Sequence, residues 1–314
     1  MVEPVSTPRD VAPAAHEPPA SELTRLEKLA IRLAEATNET AAGKRFQDVL
    51  LRRVSYVWVR AILANRCIFD GLPEVLALRP ERGVLIASNH RSFFDQYAIL
   101  LGLYLTGAPW CERINFPVRA NFFYEHPLGV MVNLLAAGGA MYPPVFRQRE
   151  RAAENKRMVE KLVDKLGERG TVIGVHPEGT RGKGPDPYEM LPAQPGIGQI
   201  ALQARPLVIP AMVQGLSNDF VGDARLNFRA DARRVRPVTV VFGAPIDYSE
   251  FLAQKPRPTL YKKTADLMRQ KILELVPREQ ELRRQCLAGE ISDDDPRWLT
   301  NYPHDPLNAR IRPL

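Results

Sequence analysis

Two apolar runs that stop abruptly in polar turns constrain the fold of this chain more than any other feature. Val84-Leu85-Ile86-Ala87-Ser88 follows Arg82-Gly83, and Thr171-Val172-Ile173-Gly174-Val175 follows Gly170. Neither alternates polar with apolar, so each reads as a strand buried on both faces. Strand-like segments recur at 208–213 and Val238–Phe242, whereas Met158, Leu162, Val163 and Leu166, and the stretch 260–275, keep helical spacing. Strands alternating with helices predict an α/β fold: a mixed, mostly parallel sheet with helices on both faces, preceded by amphipathic N-terminal helices. Polar residues just past such strands line the sheet's carboxyl edge, where α/β folds bind ligands.

The first run empties into Asn89-His90-Arg91-Ser92-Phe93-Phe94-Asp95. Ser92 can cap a helix over 93–100, which puts Asp95 in its first turn. On one continuous helix, residues five apart diverge by roughly 140°, so the dyad requires His90 in the loop and Asp95 on the helix. A carboxylate bonded to one imidazole nitrogen fixes the tautomer and leaves the other nitrogen free to accept a proton from a hydroxyl. The residues read equally as a plain capping pair, Ser92 with Asp95, beside an ordinary loop histidine.

The second run empties into His176-Pro177-Glu178-Gly179-Thr180-Arg181-Gly182. Pro177 suits the second position of a turn and Gly179 its fourth. Glu178 and Arg181 then stand beside backbone N–H groups at a strand end, which suits an anionic or polyhydroxyl ligand.

Together the two turns resemble blocks of the glycerophospholipid acyltransferases, the family that includes bacterial 1-acylglycerol-3-phosphate acyltransferases. That family's first block opens Asn-His with an Asp five residues after the His, as Asn89, His90 and Asp95 do. Its third block reads Phe/Val-Pro-Glu-Gly-Thr-Arg, matched by Pro177 to Arg181. Pro206-Leu207-Val208-Ile209-Pro210-Ala211 is similar to the fourth block, and Val241-Phe242-Gly243-Ala244-Pro245-Ile246-Asp247 to the final strand. The second block ends in arginine; Gly139 to Arg147 offers Arg147, with Arg149 and Arg119 left open beside it. The likeness covers roughly residues 80 to 250. It departs at His176, where an apolar or aromatic residue is usual, and at Gln194-Pro195-Gly196, where a lysine-glycine pair is frequent.

The resemblance implies acyl transfer from acyl-CoA or acyl carrier protein to a lysophospholipid hydroxyl, most simply 1-acylglycerol 3-phosphate. It implies no cofactor, no metal and no covalent acyl-enzyme. His90 would be the base and Asp95 its partner. Glu178, Gly179, Thr180, Arg181 and Arg147 would line the acceptor site, with Arg181 and Arg147 on phosphate. Glu178 would bind a glycerol hydroxyl or orient the arginine, and amides around Gly179 would serve the oxyanion. Other acceptors stay open: glycerol 3-phosphate, a lyso-amino-acid lipid or a glycolipid. So does a non-catalytic lipid-binding protein. A serine hydrolase is disfavoured, since Gly215-Leu216-Ser217-Asn218-Asp219 lacks the closing glycine of a nucleophile elbow.

Composition narrows the setting. A chain of 314 residues with 45% apolar content can bury one substantial core or two modest ones. Three scattered cysteines, Cys67, Cys111 and Cys286, fit no metal spacing and favour a reducing cytoplasm. A net charge of +7 suits an anionic membrane surface, a coenzyme A phosphate or nucleic acid equally well, but no zinc spacing, aromatic-basic motif or long basic run points to nucleic acid. Residues 1–20 are proline-rich, read as disordered, and lack a signal peptide's apolar core. Leu23, Leu26, Leu29, Ala30 and Leu33, then Phe46 to Ile62 after Gly43, repeat at helical spacing. This 21–68 region either packs on the domain or anchors it at a membrane surface, with Tyr56 and Trp58 near the headgroups. The stretch 128–146 carries no charge, but its glycines and prolines predict a helix of about ten residues and a buried strand rather than a span. The expected organisation is the acyltransferase domain over 69–280 and a C-terminal tail over 281–314, with no core pattern after Pro296. The expected location is the inner face of the membrane, as a peripheral protein on the cytoplasmic side.

Overall fold

The computed structural model describes residues 23–105, 107–146 and 148–302. The disordered reading of 1–20, the end of the tail and Arg147 lie outside these residues. Among the described residues eight strands form: β1 Cys67–Asp70, β2 Val84–Ser88, β3 Arg113–Asn115, β4 Val118–Arg119, β5 Pro144–Val145, β6 Thr171–Val175, β7 Leu207–Gln214 and β8 Val238–Phe242. Six make one sheet in the order β1-β8-β7-β2-β6-β3, and β4 pairs with β5 apart from it. Every neighbour in the large sheet is parallel except β7 and β8. The mixed, mostly parallel α/β fold expected from the sequence is therefore the fold observed.

The uninterrupted apolar strands divide their side chains by strict alternation. Val84 and Ile86 face a core built with Ile99, Leu103 and Val172. Leu85 and Ala87 face the opposite core, with Ile173, Leu162, Ile200, Met268 and Ile272. Helices therefore cover both faces, as the lack of polar alternation requires. Gly174 admits one of them closely: a Cβ there would lie 2.0 Å from Gln96 Oε1 and 2.7 Å from Leu100 Cδ1.

Two regions differ from the sequence reading. The first two helices, Arg25–Glu39 and Ala41–Leu50, break at Thr40, whose hydroxyl caps the second by accepting from Gly43 N–H at 3.0 Å. Gly43 is a close-approach position, since a Cβ on it would lie 2.0 Å from Ala36 O. The buried stripe of the first helix is Ala30, Ile31 and Ala34, while Leu29 and Leu33 point outward. Past the expected domain limit at 280, the helix Val276–Ala288 runs straight through, and Trp298 is 1% exposed, bridging to Ile68. The tail thus contributes a core residue, with Arg233 stacked over its indole at 4.6 Å.

The 128–146 stretch is a helix, Pro127–Ala137, stopped by left-handed Gly138 and Gly139 and followed by β5. Among the described residues, no helix is long and apolar enough to cross a membrane.

Candidate active site

Adjacent parallel strands deliver the two polar turns to one place. Ile86 pairs with Gly174 and Ala87 with Val175, so the residues after Ser88 and after Val175 leave the sheet side by side. Asn89 clamps its loop to β7: its side chain donates to Val213 O at 2.9 Å and accepts from Val213 N–H at 2.8 Å. An amide side chain here replaces one rung of the sheet ladder.

In the first turn Asp95 makes both the capping contacts and the contact with His90. Asp95 Oδ2 accepts from Ser92 N–H at 2.8 Å and Arg91 N–H at 2.7 Å, the carboxylate half of a capping box. The same oxygen lies 3.3 Å from His90 Nδ1. The helix itself is not the regular one expected over 93–100. Residues 93–94 form a turn, helical structure starts at Asp95, and Tyr97–Leu101 is a π-helical segment. A carboxylate facing Nδ1 makes that nitrogen the donor, which leaves the Nε2 lone pair free. Burial and the charges of Arg181 and Arg119 push the His90 imidazole down to about 3, so it is neutral and basic-form at neutral pH. Burial pushes Asp95 up to about 6, against the stabilising His176 and the Ser92 and Arg91 amides.

The second turn is the one its residues predict, with Gly179 N–H donating to His176 O at 3.0 Å and Gly179 at φ 63°. That bond uses up the Gly179 amide, so this donor is not available to an oxyanion. Glu178 also has a different task from the one expected. It is 2% exposed, and its Oε1 accepts from His90 N–H and its Oε2 from Leu191 N–H, each at 2.8 Å. The carboxylate holds backbone rather than facing a ligand, and it does not orient Arg181. Arg181 is instead fixed by Asn218, which accepts its Nη1 at 2.8 Å, and by the Phe93 ring, 3.7 Å away. Thr180 is half-buried beside it.

Arg119, one of the arginines the sequence left open, lies at the site, donating to Gly179 O at 3.1 Å and adding its charge near His90. Sequence reasoning missed Asn218, which anchors Arg181 and also accepts from Phe93 N–H at 3.0 Å. Its signal lay in the polar turn after β7. His176, the departure from the usual apolar residue, stacks on His90 at 3.7 Å with rings 7° from parallel. Its Nδ1 faces Ser88 O at 3.1 Å, and burial pushes its imidazole down to about 3. The ligating atoms of His90, Asp95 and His176 lie within 4.8 Å of one another. A metal would need both imidazole lone pairs to converge on one point, which rings stacked in parallel planes do not offer.

A neutral imidazole with one free nitrogen, braced by a carboxylate and flanked by two guanidiniums, defines a site that can take a proton from a hydroxyl on an anionic molecule. Residues 73–214, which carry all of these groups, match the family model described as Acyltransferase. Among solved structures it is similar to the 1-acyl-sn-glycerophosphate (LPA) acyltransferase PlsC from Thermotoga maritima. That likeness has 16% identity and a TM-score of 0.43 over 79% of this chain and 97% of that chain. No curated protein matches the sequence.

Proposed function

We propose that this protein moves a fatty acyl group from acyl-CoA or acyl carrier protein to a hydroxyl of a lysophospholipid, with 1-acylglycerol 3-phosphate as the first acceptor to test. The observation that carries this reading is the His90–Asp95 contact with Arg119 and Arg181 beside it. His90 Nε2 takes the acceptor's hydroxyl proton as its oxygen attacks the thioester carbonyl. The tetrahedral intermediate collapses, the C–S bond breaks, and the imidazolium returns the proton to the leaving thiolate. Asp95 stabilises the imidazolium in between. Arg181 and Arg119 hold the acceptor's phosphate, and that anion offsets the charges that depress His90, restoring its basicity once the right substrate is bound.

Thiol release from acyl-CoA, measured with each acceptor in turn, tests the reaction. Acceptor-dependent release is expected with lysophosphatidate. Fatty acid release without any acceptor would mark a hydrolase, and no release with any acceptor would leave only lipid binding. The panel includes glycerol 3-phosphate, a lyso-amino-acid lipid and a glycolipid, because His176 and Gln194 both border the site. Gln194 lies against Gly179, where a Cβ would meet its Cγ at 3.0 Å.

The reading includes peripheral attachment to the inner face of the membrane, where a lysophospholipid would be met. Leu29, Leu33, Phe46 and Val49 on the first two helices are exposed, as are Leu128, Met131 and Leu135 on Pro127–Ala137. The second of these helices packs against Pro127–Ala137, and exposed Arg45 and Arg53 suit anionic headgroups. Burying one such side chain contributes about 1.5–3 kcal/mol. Phe46→Glu with Met131→Glu should therefore weaken sedimentation with phosphatidylglycerol vesicles by at least about tenfold, with thiol release from a soluble short-chain pair unchanged. Undiminished vesicle binding would place the lipid-facing surface elsewhere.

A further inference from the structure

We infer that Arg269, on the helix Pro258–Leu273 and outside the 73–214 domain segment, is a positioning residue for the base of the proposed acyl transfer, acting through the Met190–Leu191 peptide and Glu178. The inference rests on that reading of the site.

The connection runs through one peptide group. Arg269 Nη2 donates to Met190 O at 2.7 Å and its Nε to Leu191 O at 3.0 Å. Met190 C=O and Leu191 N–H are two ends of the same peptide, so the guanidinium both fixes that plane and polarises its N–H. Leu191 N–H then donates to Glu178 Oε2, and Glu178 Oε1 accepts from the backbone N–H of His90. Four groups in series thus link a distant helix to the residue that carries the imidazole. The Arg269 charge also favours the ionised form of Glu178, whose carboxyl burial pushes up.

The rest of the 182–194 segment is laced down in the same manner. Gly182 N–H donates to His90 O at 2.9 Å and Arg91 Nη2 to Gly184 O at 2.7 Å. On the far side Gln214 Nε2 donates to Pro187 O at 2.6 Å, and Tyr188 donates to buried Glu279 at 2.6 Å. This strap ties the catalytic loop to the C-terminal helices, and Arg269 is the tie that ends on Glu178. A planar fork suits two successive carbonyls, which a lysine ammonium reaches less well.

Arg269→Met, Arg269→Lys, Glu178→Gln and the Arg269→Met/Glu178→Gln double variant test this by kcat, KM for acyl-CoA and pH profile. Misplacing a catalytic group by a fraction of an ångström is expected to lower kcat of Arg269→Met roughly tenfold, with KM within about twofold and the acidic limb, set by Asp95, unmoved. Arg269→Lys should recover part of the loss, and the double variant should be no slower than Glu178→Gln. Wild-type kcat in Arg269→Met, a loss confined to KM, or multiplicative losses in the double variant would overturn it. If the wild type releases no thiol, or His90→Ala equals it, the proposed reaction fails instead. Amide exchange then decides the positioning alone. Faster exchange in 88–92 and 188–194, with other segments unchanged, supports it; unchanged protection there overturns it. Should Arg269→Met not fold, Arg269→Lys carries the same readouts.

Discussion

His90→Ala is expected to lower kcat for acceptor-dependent thiol release by about 10²- to 10⁴-fold, the usual worth of a positioned general base. KM for acyl-CoA should barely move. The side chain contributes its contact with Asp95 and its stack on His176, whereas the loop is held by backbone bonds through Glu178, Asn89 and Gly182 that alanine retains. The fold should therefore survive, as circular dichroism can check. Asp95→Asn should cost a comparable factor by another route, since an amide oxygen can still cap Ser92 and Arg91 but cannot stabilise an imidazolium. The pH profile separates the two groups. Because burial raises Asp95 to about 6 while His90 stays neutral down to about 3, the dyad loses its charge partner first as pH falls. Wild-type kcat/KM should thus be flat above neutrality and drop by a factor of ten per pH unit below about 6. That limb should vanish in Asp95→Asn. A His90→Ala enzyme with near-full turnover, or a limb unchanged in Asp95→Asn, would refute the base assignment.

Much of the fold was legible because Val84–Ser88 and Thr171–Val175 leave no solvent face, and a strand without one must be sandwiched. The dyad was legible for a related reason: a five-residue spacing across a loop and a helix start is a local fact. Register was not. Nothing in either run says that Ala87 lies beside Val175, yet that pairing turns His176 from a departure in a motif into the ring stacked on His90. Glu178 was misread for the same cause. Its partners, His90 N–H and Leu191 N–H, are backbone groups 88 and 13 positions away, and backbone donors leave no mark in residue identity. At Leu29 and Leu33 the error was one of face: periodicity reports that a helix has an apolar stripe, and small Ala30 and Ala34 won the buried side by permitting closer packing.

The two guanidiniums should set which acceptor is used. Arg181 is held by Asn218 and the Phe93 ring, and Arg119 by Gly179 O, and both act electrostatically on His90. A charge-assisted hydrogen bond to a phosphate is worth about 1.5–3 kcal/mol, so Arg181→Ala and Arg119→Ala should each lower kcat/KM with lysophosphatidate by about 10- to 10²-fold. The double variant should lose about 10³-fold or more. With an uncharged acceptor such as a monoacylglycerol, the wild type should be slow and the substitutions nearly silent, or mildly activating. The sign follows from the charges: removing cations beside His90 lets its imidazole rise from about 3, although burial, the larger cause, remains. A phosphate brought by the acceptor would do the same job in the intact protein, so anionic acceptors should gain in kcat as well as in KM. Arg119→Gln keeps a donor for Gly179 O without the charge and so separates charge from turn geometry. Equal losses on charged and uncharged acceptors would show that these arginines support the turn rather than recognise a phosphate.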